Sequence, residues 1–138
     1  MWYTYALLAA LFAALTAVFA KIGIKNVDSD FATAIRTIII LIIAWLIVLL
    51  KGSISTWTTL TKTNWLFLGL SGIATGLSWI FYFKALQIGK VSLVASVDKL
   101  SVAIAIILSA IFLKEVLTLR TILGAALIIV GTFILVWK

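Results

Sequence analysis

Cysteine, histidine and proline are all absent from this chain. Without cysteine no disulfide or thiolate site can form, and the redox compartment leaves no mark on the sequence. Without histidine the commonest metal ligand and neutral-pH base is missing, which argues against zinc sites and excludes His-dependent triads. Without proline no helix can be broken by a pyrrolidine ring, so any unwound site is expected to rely on glycine. Acidic residues are also scarce, four in 138 against eleven Lys and Arg, which leaves little for general acid–base work. No metal cluster, nucleophile–base pair or phosphate loop is visible. The chain is therefore not expected to be an enzyme, and no cofactor or metal is implied.

What is present is apolar. Hydrophobic residues make up 65% of the chain, charged residues 11%, and mean hydropathy is +1.33. A soluble domain is roughly half apolar and about a quarter charged. This chain cannot cover itself with polar surface, so a lipid bilayer is its expected solvent. The net charge of +7 does not point to nucleic acid. Most of the Lys and Arg stand at the ends of apolar segments, where they anchor to headgroups, and there is no basic run to dock on a duplex.

Five segments are each long enough to cross a hydrocarbon core of about 30 Å as a helix. They fall at about Trp2–Ala20, Phe31–Leu50, Trp65–Phe83, Val91–Phe112 and Thr121–Trp137. A β-barrel would alternate apolar and polar residues, whereas these runs are continuously apolar. The fold class is thus an all-α integral membrane protein, one transmembrane domain over residues 1–138, multi-pass in the cell (inner) membrane. The first segment lacks the charged leader of a cleavable signal, and its apolar run is too long for one. The most polar connection is KGSISTWTTLTKTN, whose Trp57 is placed at the membrane interface, where Trp2, Trp65 and Trp137 also fall.

Small residues mark close-packing faces. Gly69, Gly72 and Gly76 share one face of the third span, and Gly124 and Gly131 share one face of the fifth. Such faces let helix backbones approach in lipid, within the chain or across a dimer. Trp79, within the third span and followed by Phe81, Tyr82 and Phe83, is either plain packing or the wall of a cavity.

Five spans put the termini on opposite sides of the membrane. One side (side A) carries Lys51, Lys62, Lys114 and Arg120, and the other (side B) carries Lys21, Lys25, Lys84, Lys90 and Lys138. Four cations against five is almost no orientational bias, and adding the embedded Arg36 and Lys99 makes it four against seven, a weak preference for side B inside. Two outcomes follow: one fixed orientation, or dual topology with copies inserted both ways and paired as an antiparallel homodimer. The second would reproduce the inverted repeats of larger transporters, with the site at the repeat interface.

Three charges lie inside apolar runs, where each costs at least ~2.5–3.5 kcal/mol to insert. Arg36 interrupts FATAIRTIII, and Asp98 and Lys99 interrupt SLVASVDKLSVAIAIILSAIFL. Both runs enter from side B, so all three groups are expected ~8–12 Å below that surface, in the leaflet that also holds Lys21 and Lys84. Helical spacing puts Asp98, Ser101, Ala105 and Ser109 near one face and turns Lys99 about 100° away, free to snorkel. Three roles for Asp98 and its surroundings stay open: a structural ion pair with Arg36, a carboxylate that couples transport to a proton or cation, or a positive excess that recognises an anionic substrate group. Asp28 and Asp30 are expected to start the second helix, and Glu115 to be a solvated loop charge.

The runs AKIGIKNVDSDFATAIRT, SGIATGLSWIFYFKALQIGKVSLVASVDKLS and FLKEVLTLRTILGAALIIVGTFILV resemble the EamA-type domain of the drug/metabolite transporter superfamily. The likeness is greatest to its small group with one domain of four or five spans, and it covers nearly the whole chain. Asp98-Lys99-Leu100-Ser101, Leu113-Lys114-Glu115, Leu117-Thr118 and Arg36 carry it together. Where many EamA domains have a proline in the fourth span and a glycine before the glutamate, Val102 and Lys114 stand here. The resemblance implies a secondary carrier of a small metabolite or drug-like solute, working by alternating access, with a second copy supplying what larger members encode in one chain. Asp98, Arg36, Lys99, Ser101, Lys84, Trp79 and Tyr82 are the expected substrate or coupling residues. A non-transporting assembly or accessory subunit is the alternative.

Overall fold

The computed structural model describes residues 1–137, and Lys138, one of the side-B cations, lies outside the described residues. The helices are α1 (Trp2–Gly23), α2 (Ser29–Leu50), α3 (Lys62–Ile88), α4 (Val91–Asp98), α5 (Leu100–Phe112) and α6 (Leu119–Val136). A 3-10 helix, Ser53–Thr59, lies between α2 and α3. Taking α4 and α5 together, these supply five segments long and apolar enough to span a membrane. The chain is an all-α membrane protein.

The helix starts follow local chemistry. Asp28 caps α2, its Oδ1 accepting from the backbone N–H of Asp30 at 3.0 Å and of Phe31 at 2.9 Å. Thr61 and Thr118 do the same for α3 and α6, accepting from Asn64 and Thr121, each at 3.2 Å. These bonds satisfy amides that helix geometry leaves without a partner. α3 is longer at both ends than the apolar run alone indicates, because Ala85, Leu86 and Gln87 continue the helix and Leu86 is fully buried. Lys84 therefore stands on a helix rather than in a loop.

The chain forms two compact units, residues 19–87 and residues 1–18 with 88–138. In the first, Phe83 and Leu86 of α3 are buried together with Ala20 and Ile24 from the end of α1 and Ser29 and Thr33 from the start of α2. The far ends of α2 and α3 are joined by the 3-10 helix. Trp57 meets Trp65 edge-on at 4.9 Å, and a cavity of about 280 Å³ opens between Trp57 and Trp45 of α2. Trp57 itself stays 59% exposed on the connection.

In the second unit α6 packs on α4 and α5, with Thr132 and Ala103 buried. Its fourth span is not one continuous helix. The amide of Lys99 bonds to Ser96 O at 3.1 Å and that of Val102 to Lys99 O at 3.1 Å, a short stretch of 3-10 bonding between α4 and α5. Lys99 keeps φ −67° and ψ −13°, so the helix tightens rather than unwinds. Neither proline nor glycine is involved in this tightening. Thr132 Oγ1 of α6 donates to Ser96 O at 3.1 Å, giving that carbonyl a partner besides the Lys99 amide. Mid-helix 3-10 turns of this kind often mark hinges.

The turn after α5 also lacks glycine. Lys114 has φ 56°, in the left-handed region, and the amides of Leu113 and Glu115 both close back on Ser109 O. A non-glycine residue there is strained by ~1–2 kcal/mol.

Two substitutions test these features. Thr132→Val keeps the side-chain shape but removes the hydroxyl, and is expected to destabilise the protein by about 1 kcal/mol. Lys114→Gly is expected to stabilise it by up to ~1–2 kcal/mol. Thermal unfolding in detergent micelles reads both; a Tm unmoved in either variant would remove that residue from the account.

Candidate functional site

The candidate side chains of residues 19–87 gather where α1 ends, α2 begins and α3 ends. Arg36 is seven residues into α2, ~10 Å from its start at 1.5 Å per residue. Trp79 and Phe83 lie on α3, four apart and therefore on one face. The guanidinium carbon of Arg36 stands 4.1 Å from the centre of the Phe83 ring and 5.9 Å from that of Trp79. Phe83 is only 1% exposed, so this ring is a fixed platform. A guanidinium over an aromatic face gains roughly 0.5–2 kcal/mol, more when water is excluded. The ring does not satisfy the N–H groups, and Nη1 of Arg36 is buried with no hydrogen-bond partner. An unmet buried donor costs about 1–3 kcal/mol, more when charged.

The neighbouring charges are committed locally. Lys84 Nζ pairs with Asp30 Oδ2 at 3.0 Å. Lys21 Nζ donates to the carbonyls of Leu86 at 2.6 Å and Gln87 at 3.2 Å, at the negative end of the α3 dipole. Gln87 Nε2 donates to Val27 O at 2.8 Å, tying the α1–α2 turn to the end of α3. Thr33 Oγ1 donates to Ser29 O at 2.7 Å and Thr37 Oγ1 to Thr33 O at 2.9 Å, so those hydroxyl protons stay within α2. Tyr82 meets Phe83 edge-on at 5.7 Å.

Asp98, Lys99 and Ser101 belong to the other unit. There Lys99 Nζ stands 3.5 Å from Asp98 Oδ2. The expectation that helical spacing would turn these two apart is corrected, because both lie at the 3-10 turn and the lysine stem reaches back. Of the small polar stripe, Asp98 and Ser109 are partly covered and Ser101 and Ala105 are exposed, while Ala103 is the buried residue of α5. Ser109 donates to Ile106 O at 3.0 Å. Asp30 is more than a helix-start residue, since Asp28 supplies the cap and Asp30 faces Lys84. Among the described residues, a Cβ added at Gly69, Gly72, Gly76, Gly124 or Gly131 would meet nothing within 4 Å.

Sequence reasoning missed Phe83 as the platform for Arg36, although its four-residue spacing from Trp79 was available. It also missed Asp30 as the counter-ion of Lys84, which depends on how α2 and α3 pair.

The sequence matches the EamA-like transporter family over residues 1–137. The chain belongs to that family. It is 48% identical over 134 residues to an uncharacterized transporter in the cobO 3' region of a Sinorhizobium species, covering 97% of this chain and 95% of that protein. It is 36% identical over 66 residues to the uncharacterized protein MJ1333.1 of Methanocaldococcus jannaschii, covering 48% of each chain. No solved structure matches it. As an EamA-like transporter it is a multi-pass membrane protein whose role is to carry a small molecule across the bilayer. The cluster on α2 and α3 is charged and framed by aromatic rings, inside two of its spans.

The Asp30–Lys84 pair is half exposed, at 50% and 52% of the side chains. Such a pair is worth ~0.2–1 kcal/mol. A double-mutant cycle with Asp30→Asn and Lys84→Met, read by thermal unfolding in micelles, is expected to give coupling in that range that falls with added salt. Coupling that salt leaves unchanged would mean the pair is shielded from water.

Proposed function

We propose that this chain is a secondary transporter that moves a small metabolite or drug-like solute by alternating access, as an antiparallel homodimer in the cell membrane. The observation that carries this reading is Arg36: a cation inside a spanning helix, fixed on Phe83 and left with an unmet donor. A charge that only anchored the helix would sit at its end, among headgroups. One that only stabilised the fold would have its donors satisfied. Arg36, Trp79, Tyr82 and Lys84 are the substrate residues within residues 19–87. Asp98, an acid in the interior of a span, is the group through which proton coupling would run, with Lys99 and Ser101 beside it. The 3-10 turn at Lys99 gives the fourth span a place to bend between states.

The dimer is supported by the near balance of cations on the two sides and by the open glycine faces of α3 and α6. Those same faces favour a second reading, a membrane assembly subunit that carries no solute. Flux separates the two.

Proteoliposomes of wild type and Asp98→Asn, screened for metabolite flux across pH, are expected to show pH-dependent flux in the first and at least tenfold less in the second. No flux of any class would favour the assembly subunit, and unaltered flux in Asp98→Asn would remove Asp98 from coupling. For topology, periplasm-active and cytoplasm-active reporters fused at the C-terminus are both expected to give signal. Signal from one alone would sink dual insertion. Gly72→Leu with Gly76→Leu is expected to abolish cross-linked dimer while helicity is retained, and retained cross-linking would take that face out of the interface.

A further inference from the structure

We infer that Arg36 selects the substrate class: an organic monoanion whose carboxylate binds the guanidinium and whose apolar body packs on Trp79 and Tyr82. This rests on the proposed transport role and narrows it. Residues 19–87 contain two acids, Asp28 and Asp30. Asp28 is consumed in capping α2, and Asp30 stands 3.0 Å from Lys84. Lys21, at the same end of α3, is held by the carbonyls of Leu86 and Gln87. No carboxylate of this unit is left for Arg36, and its Nη1 has no partner while Phe83 covers its face. A guanidinium is always charged and presents paired donors in a plane, the geometry that fits a carboxylate.

The surroundings say what is attached to the carboxylate. The hydroxyl protons of Thr33 and Thr37 are spent on backbone carbonyls of α2, so they add no donor for a polyhydroxylated body. Trp79 and Tyr82 are partly exposed on the face of α3 that carries Phe83. An aromatic or branched apolar group beside a single carboxylate fits this frame. A sugar phosphate, with several charges and many hydroxyls, does not.

An acidic lipid headgroup offers the same oxyanion chemistry, so the test separates the sources. Full-length protein in phosphatidylcholine nanodiscs is titrated with phenylacetate and with phenylacetamide, which has the same shape without the charge. Saturable phenylacetate binding, at least tenfold tighter than phenylacetamide, is expected. Arg36→Gln is expected to abolish that preference and Arg36→Lys to weaken it. Equal binding of acid and amide by wild type would overturn the inference, and this comparison requires no variant to fold. Loss of phenylacetate binding in phosphatidylglycerol nanodiscs would assign the guanidinium to lipid and overturn the solute reading.

Binding at equilibrium is independent of flux. Carboxylate-selective binding without flux of any carboxylate would leave the inference standing and sink the transport role. Flux of neutral or cationic solutes that is untouched in Arg36→Gln would do the reverse.

Discussion

Lipid offers no hydrogen bonds, so every polar group carried into it must find a partner on the protein. Most of this chain obeys that constraint through helix backbone bonds and residues that close on themselves. Threonines of α2 donate to their own helix, Asp28 covers free amides, and Lys21 and Gln87 fasten loop and helix-end carbonyls. Among the buried side-chain N and O atoms of the described residues, Nη1 of Arg36 stands out as having no hydrogen-bond partner. The guanidinium is held on the Phe83 ring, and its Nη1 is left without an acceptor.

Packing contributes differently here than in a soluble domain. Among the described residues, the fully buried large side chains are Phe83 and Leu86, both near the end of α3. Long apolar faces of α2, α3 and α5 stay uncovered by the chain, Ile42, Leu68 and Ile107 among them. In water this would be fatal; in a bilayer those faces exchange one apolar neighbour for another, and close packing is needed only where helices meet. The place where they do meet in residues 19–87 is also where the charges collect, so the site and its scaffold are the same few turns.

The fourth span has a different solution to irregularity. Its tightening needs no proline: two 3-10 bonds close at Lys99, and Thr132 gives Ser96 O a second partner. Asp98 and Lys99 sit at that turn, where their side chains meet at 3.5 Å. Lys114, left-handed after α5, likewise takes a geometry that glycine would adopt without strain.

Much was legible in the residues. Continuous apolar runs, missing proline and cations at segment ends determine five membrane helices, because length and transfer free energy alone decide what spans a bilayer. Asp28 as a cap and Arg36 as a charge needing an explanation follow from local chemistry in the same way. Tertiary structure alone decided the partners: that Phe83 lies under Arg36, that Asp30 meets Lys84 across α2 and α3, that Thr132 reaches Ser96, and that the glycine faces stay open. Spacing along a helix says which residues share a face. Which face meets which neighbour, and where a helix tightens, depends on contacts between segments far apart in the chain.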